Sequence, residues 1–213
     1  MALSGELPQE MTPETGAITP GEKALVSRAR QGDENAWLQL VAAHQEALFR
    51  LAYLILGGSF DAGDAEDVTQ EAFVRAYLNL NQFDDNRALR PWLLGIAANL
   101  ARNRRRSAGR YWAALRRWWQ YNRDAETTVP SHHQRSDARL LWQAVRQLNR
   151  QAQEIIYLFY FLELSEAETA QVLSVPAGTV KSRLHRARRQ LRAIIARDFP
   201  ALYDEWQEQY EPG

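Results

Sequence analysis

Cysteine is absent from the sequence, which excludes disulfide staples and thiolate-held metals and suits a reducing compartment. No run approaches the ~20 continuous apolar residues that a membrane span requires. The N-terminal residues 1–21 hold Pro, Gly, Thr and Glu but no basic start followed by an apolar stretch. They read as a flexible tail and not as a signal peptide, so the expected setting is soluble and cytoplasmic. Glycine and proline are scarce inside the periodic segments, which permits long helices. Alternating apolar and polar positions never persist beyond a few residues, so strands are not expected. Net charge is also missing, since 26 Lys and Arg balance 26 Asp and Glu. A uniformly basic nucleic-acid binder is excluded.

What is present is charge in blocks. Residues 176–197 hold Lys181, Arg183, Arg186, Arg188, Arg189, Arg192 and Arg197 and no acid. Arg102, Arg104, Arg105, Arg106 and Arg110 form a second basic block. Asp61, Asp64, Glu66, Asp67 and Glu71 form an acidic one, and Asp198, Asp204, Glu205, Glu208 and Glu211 another. Separate surfaces of opposite sign suit separate partners.

The apolar period predicts helices over about 21–31, 34–56 (ended by Gly57-Gly58), 62–80 and 91–106, with Pro91 at the first helical position of the last. Residues 107–137 turn basic and Trp-rich, then polar, which predicts a linker whose first half can be helical. The expected organisation is a tail at 1–21, a helical domain at 22–106, the linker at 107–137, a second helical domain at 138–197 and an acidic tail at 198–213.

In the second domain Ser165 and Glu168 make a capping box, opening a helix to about Leu173. Ser174-Val175 turns the chain and Pro176 starts another helix. Val180, Leu184, Ala187 and Leu191 form its buried stripe, leaving Thr179, Lys181, Ser182, Arg183, His185, Arg186 and Arg189 on the other surface. An ordinary bundle helix could carry such a solvated face. The cap, tight turn and second helix together favour a helix-turn-helix whose donors read a major groove. The stretch LSEAETAQVLSVPAGTVKSRLHRARRQLR at 164–192 resembles the −35-reading domain of extracytoplasmic-function (ECF) sigma factors, of the sigma-70 family.

The first domain resembles the same family. DAGDAEDVTQEAFVRAYL at 61–78 turns Ala65, Val68, Ala72 and Ala76 inward and leaves an acidic face that alone would read as solvated. It is similar to the sigma helix that docks on the polymerase clamp, which implies core-polymerase contacts at Glu66, Asp67, Gln70 and Glu71. PWLLGIAANLARNRRR at 91–106 buries Leu93, Ile96, Ala97 and Leu100, and aligns Asn99, Arg102, Asn103 and Arg106 on another face. It resembles the helix that reads the −10 element, Trp92 and Asn99 included. The loop before it, from Phe83 to Leu89 with Asn86, corresponds to one that captures a flipped base.

The resemblance covers about 22–106 and 138–195 and implies an all-α protein of two small helical domains, region 2-like and region 4-like, on a flexible linker. It implies core RNA polymerase and promoter DNA as partners, with no catalytic residue, cofactor or metal. Family members are often held inactive by an anti-sigma factor, commonly membrane-anchored, which makes such a protein a candidate partner. Trp112, Leu115 and Trp119 could thread toward the RNA exit path or dock on a domain. His132-His133 lacks further metal ligands, and Asp84-Asp85 fits a turn better than an acid–base pair. A conventional repressor or activator leaves 62–106 unexplained, and a recombinase lacks its catalytic cluster. Phe199, Leu202, Tyr203, Trp206 and Tyr210 are spaced for a short amphipathic helix that docks on the C-terminal domain or linker, the alternative being a frayed acidic end that only aids solubility.

Overall fold

The computed structural model describes residues 18–58, 60–119 and 136–200, and every regular element among them is helical. Helix α1 (Pro20–Arg30) opens with a capping box: the Thr19 hydroxyl accepts from the Glu22 N–H, and the Thr19 N–H donates to the Glu22 carboxylate. Helix α2 (Glu34–Leu56) starts at the Asp33 cap and stops at Gly57, whose φ of 75° is left-handed and costs glycine nothing. Helix α3 (Ala62–Leu78) begins with a second capping box, Asp61 with Asp64. It stops short of the expected Leu80, because Leu80–Gln82 tightens into a 3₁₀ turn that buries Leu80.

Helix α4 spans Leu89–Trp119. Pro91 is therefore its third residue and not its first. The N–H groups of a first turn have no intrahelical partner, so proline is tolerated there too. The helix also runs on past Arg106 through the first half of the segment read as a linker. Then follow α5 (Ser136–Gln147), α6 (Arg150–Ile156) with a π turn (Tyr157–Phe161), α7 (Glu166–Leu173) and α8 (Ala177–Asp198).

Leu40, Leu48 and Leu51 of α2, Val68 and Ala72 of α3, and Leu93 and Ala97 of α4 are fully buried in the N-terminal bundle. Each such leucine contributes ~1.5–3 kcal/mol relative to leaving it exposed. A second cluster joins Val145, Leu148, Ile155 and Ile156 to Val180, Leu184 and Ala187. The two halves also pack on each other. Leu158, Leu162, Leu164 and Val172, all from the second half, belong to the N-terminal cluster.

Helix α4 sits at that junction, and its residues sort into three stripes at helical spacing. Leu93, Ala97 and Leu100 are buried as predicted, with Ile96 only half-buried. Leu94, Ala98 and Ala101 are also fully buried, on the side of α4 that carries Gly95 and Arg102. That side meets the second half: a Cβ placed on Gly95 would lie 3.8 Å from the Val172 carbonyl oxygen. Trp92, Asn99, Asn103 and Arg106 make up the third stripe, half-buried at Trp92 and exposed at the other three.

Candidate nucleic-acid and partner interfaces

Helix α3 buries Ala65, Val68, Ala72 and Ala76 and exposes Glu66, Asp67, Gln70 and Glu71, as its spacing predicts. Two of the four are engaged within the chain. Asp67 accepts from Arg104 at 2.9 Å, and Glu71 accepts from Arg75 at 2.6 Å. The same face continues in Val74, Tyr77 and Leu78, which are 58%, 44% and 73% exposed. The Tyr77 ring leans on Trp37 with centroids 5.1 Å apart, and Leu38 beside Trp37 is exposed too. Sequence reasoning missed this apolar end of the helix. The available signal was three large apolar residues lying off the buried alanine stripe. An acidic strip running into exposed apolar surface is what a protein-binding face looks like.

The −10 candidates divide by environment. Asn99, Asn103 and Arg106 are exposed along α4 and Asn86 is exposed in the preceding loop. Arg102 is half-buried: it donates from Nη1 to the Asn99 side-chain oxygen at 2.6 Å and from Nε to the Glu154 carboxylate at 2.8 Å. Phe83 is only 4% exposed and packs on Trp92, centroids 5.0 Å apart. Arg30, unremarked in the sequence, explains this closed loop. Its guanidinium donates to the carbonyls of Leu80 and Phe83 at 3.0 and 2.6 Å and pairs with Asp85. Arg105 donates to the Ile55 carbonyl, and burial, with Arg150 nearby, pushes its guanidinium below the usual arginine range.

The helix-turn-helix forms where it was expected. The Ser165 hydroxyl accepts from the Glu168 N–H, and the Ser165 N–H donates to the Glu168 carboxylate. Ser174 turns the chain in the left-handed region, φ 54°, and Pro176 caps α8 from outside the helix instead of opening it. Val180, Leu184 and Ala187 are buried and Leu191 is half-buried. Lys181, Ser182, His185, Arg186 and Arg189 are exposed, with Thr179 and Arg183 half-buried at the edge. Arg186 donates to the Ser182 carbonyl at 3.2 Å. Arg188 points elsewhere, over the rings of Phe159 and Tyr160 at 5.6 Å, and donates to the Tyr160 hydroxyl. Asn149 and Gln151 at the start of α6 line a small polar cleft with Arg183, Arg186 and Gln190, a contribution the sequence did not signal.

Among the described residues no group of His, Cys, Asp and Glu could hold a metal ion, and no helix is long and apolar enough to cross a membrane. The side chains of Trp112, Leu115 and Trp119, the His132-His133 pair and the tail beyond 200 lie outside the described residues.

Comparison with known proteins agrees with this geometry. The family profile "Sigma-70 region 2" matches residues 40–111 and "Sigma-70, region 4" matches residues 138–191. The two modules, in this order on one chain, define a promoter-specificity factor of the sigma-70 class. The ECF RNA polymerase sigma factor SigW of Bacillus subtilis is 32% identical over 179 residues, covering 80% of this chain and 94% of the relative. RNA polymerase sigma factor NccH of Alcaligenes xylosoxydans xylosoxydans is 33% identical over 189 residues, 82% of this chain and 94% of the relative. Among solved structures, CnrH in complex with the cytosolic domain of CnrY superposes with a TM-score of 0.60 at 28% identity, covering 84% of this chain and 99% of that one. The chain belongs to the ECF RNA polymerase sigma factors.

Proposed function

We propose that this sigma factor docks on core RNA polymerase through α3, reads the −35 element with α8 and the −10 element with α4, and performs no catalysis. On α3, Glu66, Asp67, Gln70 and Glu71 supply charge, and Val74, Tyr77 and Leu78 supply apolar contact. On α8, Arg186 and Arg189 suit bidentate contacts to guanine, and Lys181 and Ser182 suit phosphate. On α4, the amides of Asn99 and Asn103 can bond base edges of a single strand whose phosphates Arg102 and Arg106 follow. Pulling a base from the stack costs a few kcal/mol, which contacts at the exposed Asn86 and half-buried Trp92 would offset. Opening then draws on binding energy alone.

The observation carrying this reading is the separation on one chain of an exposed acidic-apolar face on α3 from an acid-free basic face on α8. The test is run-off transcription with purified core polymerase. The expected result is promoter-specific initiation that requires the chain, and tight operator binding by the chain alone would favour a conventional regulator. Its place of action would be the cytoplasm, where polymerase and promoter are.

An inhibitory protein partner is a second element of the proposal. It is supported by the CnrH–CnrY complex and by an open apolar groove lined by Phe49, Tyr53, Leu54, Trp142, Phe161 and Leu162. Co-purification with a candidate inhibitor, and loss of transcription on adding it, tests this element.

A further inference from the structure

One guanidinium on α1 spans the entry to the loop that precedes α4. Arg30 donates from Nε to the Leu80 carbonyl at 3.0 Å, from Nη2 to the Phe83 carbonyl at 2.6 Å and from Nη1 to the Asp85 carboxylate at 3.1 Å. Nη2 also lies 2.9 Å from the other Asp85 oxygen, which is buried. The Arg30 and Asp85 side chains are only 22% and 29% exposed, so water competes weakly for these contacts. A lysine could not reproduce them, because a point charge lacks the planar fork that meets separate acceptors at once.

Beyond this clamp the loop is tied to itself. The Asp84 carboxylate accepts from the backbone N–H and the side-chain amide of Asn86 at 3.0 and 2.9 Å, and the Asp84 carbonyl accepts from the Arg87 N–H at 2.9 Å. Phe83 is buried against Trp92, and Leu89 is buried at the start of α4. Asn86 and Arg87 stand exposed at the tip. The bonds from Asn86 to Asp84 are open to water, and such bonds alone select one loop shape only weakly. The half-buried contacts from Arg30, 50 to 55 positions upstream, add the selection that the local turn lacks.

Resting on the reading of this loop and α4 as the −10 interface, we propose that Arg30 is a positioning residue for base capture. Its guanidinium sets the loop in one shape before DNA arrives and does not itself meet the strand. A loop ordered in advance loses little conformational entropy when a base docks, so the binding energy at Asn86 and Trp92 goes into holding that base out of the stack. Without the clamp, the same contacts would first have to order residues 83–88. Helix α1 thereby takes part in strand opening while all its bonds to the loop lie on the protein side.

The test uses holoenzyme assembled from the full chain and core polymerase. Promoters are first mapped by sequencing the RNA 5′ ends that wild-type holoenzyme makes from genomic DNA fragments. One promoter is then prepared premelted over the −10 region, with an abasic nucleotide at each −10 position in turn, and holoenzyme affinity is measured. Wild type should lose affinity about tenfold at the position whose base the loop captures. Arg30→Ala should bind the intact probe about tenfold more weakly and lose little more at that position, because the capture contact is already impaired. Arg30→Ala combined with Asp85→Ala leaves no buried carboxylate unpaired and should behave alike. Unchanged affinity for core polymerase checks that each variant is folded. Arg30→Lys should stay impaired, and full rescue by lysine would mean that charge alone acts, overturning the positioning role. An abasic loss in Arg30→Ala as large as in wild type, or a defect of Arg30→Ala that couples equally to every position, also overturns it and leaves the −10 reading standing. A wild-type holoenzyme with no abasic-sensitive position, or with no promoter-specific 5′ ends, overturns that reading and the role of Arg30 with it.

Discussion

Arg104 Nη2 lies 2.9 Å from the Asp67 carboxylate, so α4, proposed above to read the −10 element, is tied by an ion pair to α3, the proposed polymerase-docking helix. The same nitrogen reaches Asp64 at 2.7 Å. Both Asp67 and Arg104 remain substantially exposed, and such a pair contributes ~0–1 kcal/mol to stability. Breaking this pair would therefore cost the fold little.

Charge reversal on this face should lower affinity for core polymerase without unfolding the chain. Asp67→Lys and Glu71→Lys are each expected to weaken binding to core about tenfold, a ~1.4 kcal/mol change, measured by fluorescence anisotropy. Circular dichroism should be unchanged. Val74→Ser or Tyr77→Ser should give a comparable loss that salt does not alter, since the contact removed is apolar. Normal core affinity in all four would rule the face out.

Recognition and strand opening should come apart under mutation. Arg186→Ala is expected to cost ~1–3 kcal/mol of −35 discrimination in the holoenzyme, the value of one bidentate base contact. Asn99→Ala should leave −35 occupancy intact and reduce permanganate reactivity at the −10 region. Equal opening defects at matched occupancy would contradict this assignment.

Ser165→Ala removes the hydroxyl that accepts from the Glu168 N–H at the start of α7. The expected loss is ~1 kcal/mol of stability by urea denaturation, the usual cost of a lost helix cap. Ser165→Asp should restore most of it.

Acid should weaken the hold of α1 on the bundle. The Glu22 carboxylate accepts from buried His44 Nε2 at 3.0 Å and from Thr19, which pulls its pKa from 4.5 down to about 2. A folded pKa below the unfolded one gives stability that is fully present above about 4.5 and disappears as pH falls through about 2. Glu22→Gln should lower stability at neutral pH and flatten its decline between those values. Urea midpoints across that range decide it, and parallel curves for the two proteins would remove Glu22 as the cause.

The elements most legible in the sequence were those with their stop and start signals written locally. Asp33 and Gly57 bracket α2, and Ser165 with Glu168 opens α7, so these helices follow from a few adjacent residues. The same is true of the exposed basic face of α8, because Val180, Leu184 and Ala187 fix the orientation of the helix. What was not legible depends on residues far apart in the chain. Leu94, Ala98 and Ala101 lie off the stripe of Leu93, Ala97 and Leu100 that faces the N-terminal bundle, and they are buried because Leu158, Leu162 and Val172 come to cover them. Arg102 read as a free strand-binding group until Glu154, 52 positions away, was placed beside it. Phe83 read as an open base trap, and Arg30 closes it from 53 positions upstream.

The π turn at Tyr157–Phe161 has a consequence for synthesis. Ile155, Ile156, Tyr157 and Leu158 are four consecutive buried residues, with the first three facing one cluster and Leu158 the other. The widened turn lets one short segment serve as a wall shared by both halves. A growing chain leaves the ribosome N-terminus first, so the N-terminal bundle forms while Leu94 and Ala98 still face water. Residues 158–172 are the plug that ends this exposure, and they leave the ribosome well after the bundle. A nascent chain stalled before them would present a bare apolar strip to chaperones and proteases, so incomplete copies of this sigma factor carry their own mark for removal.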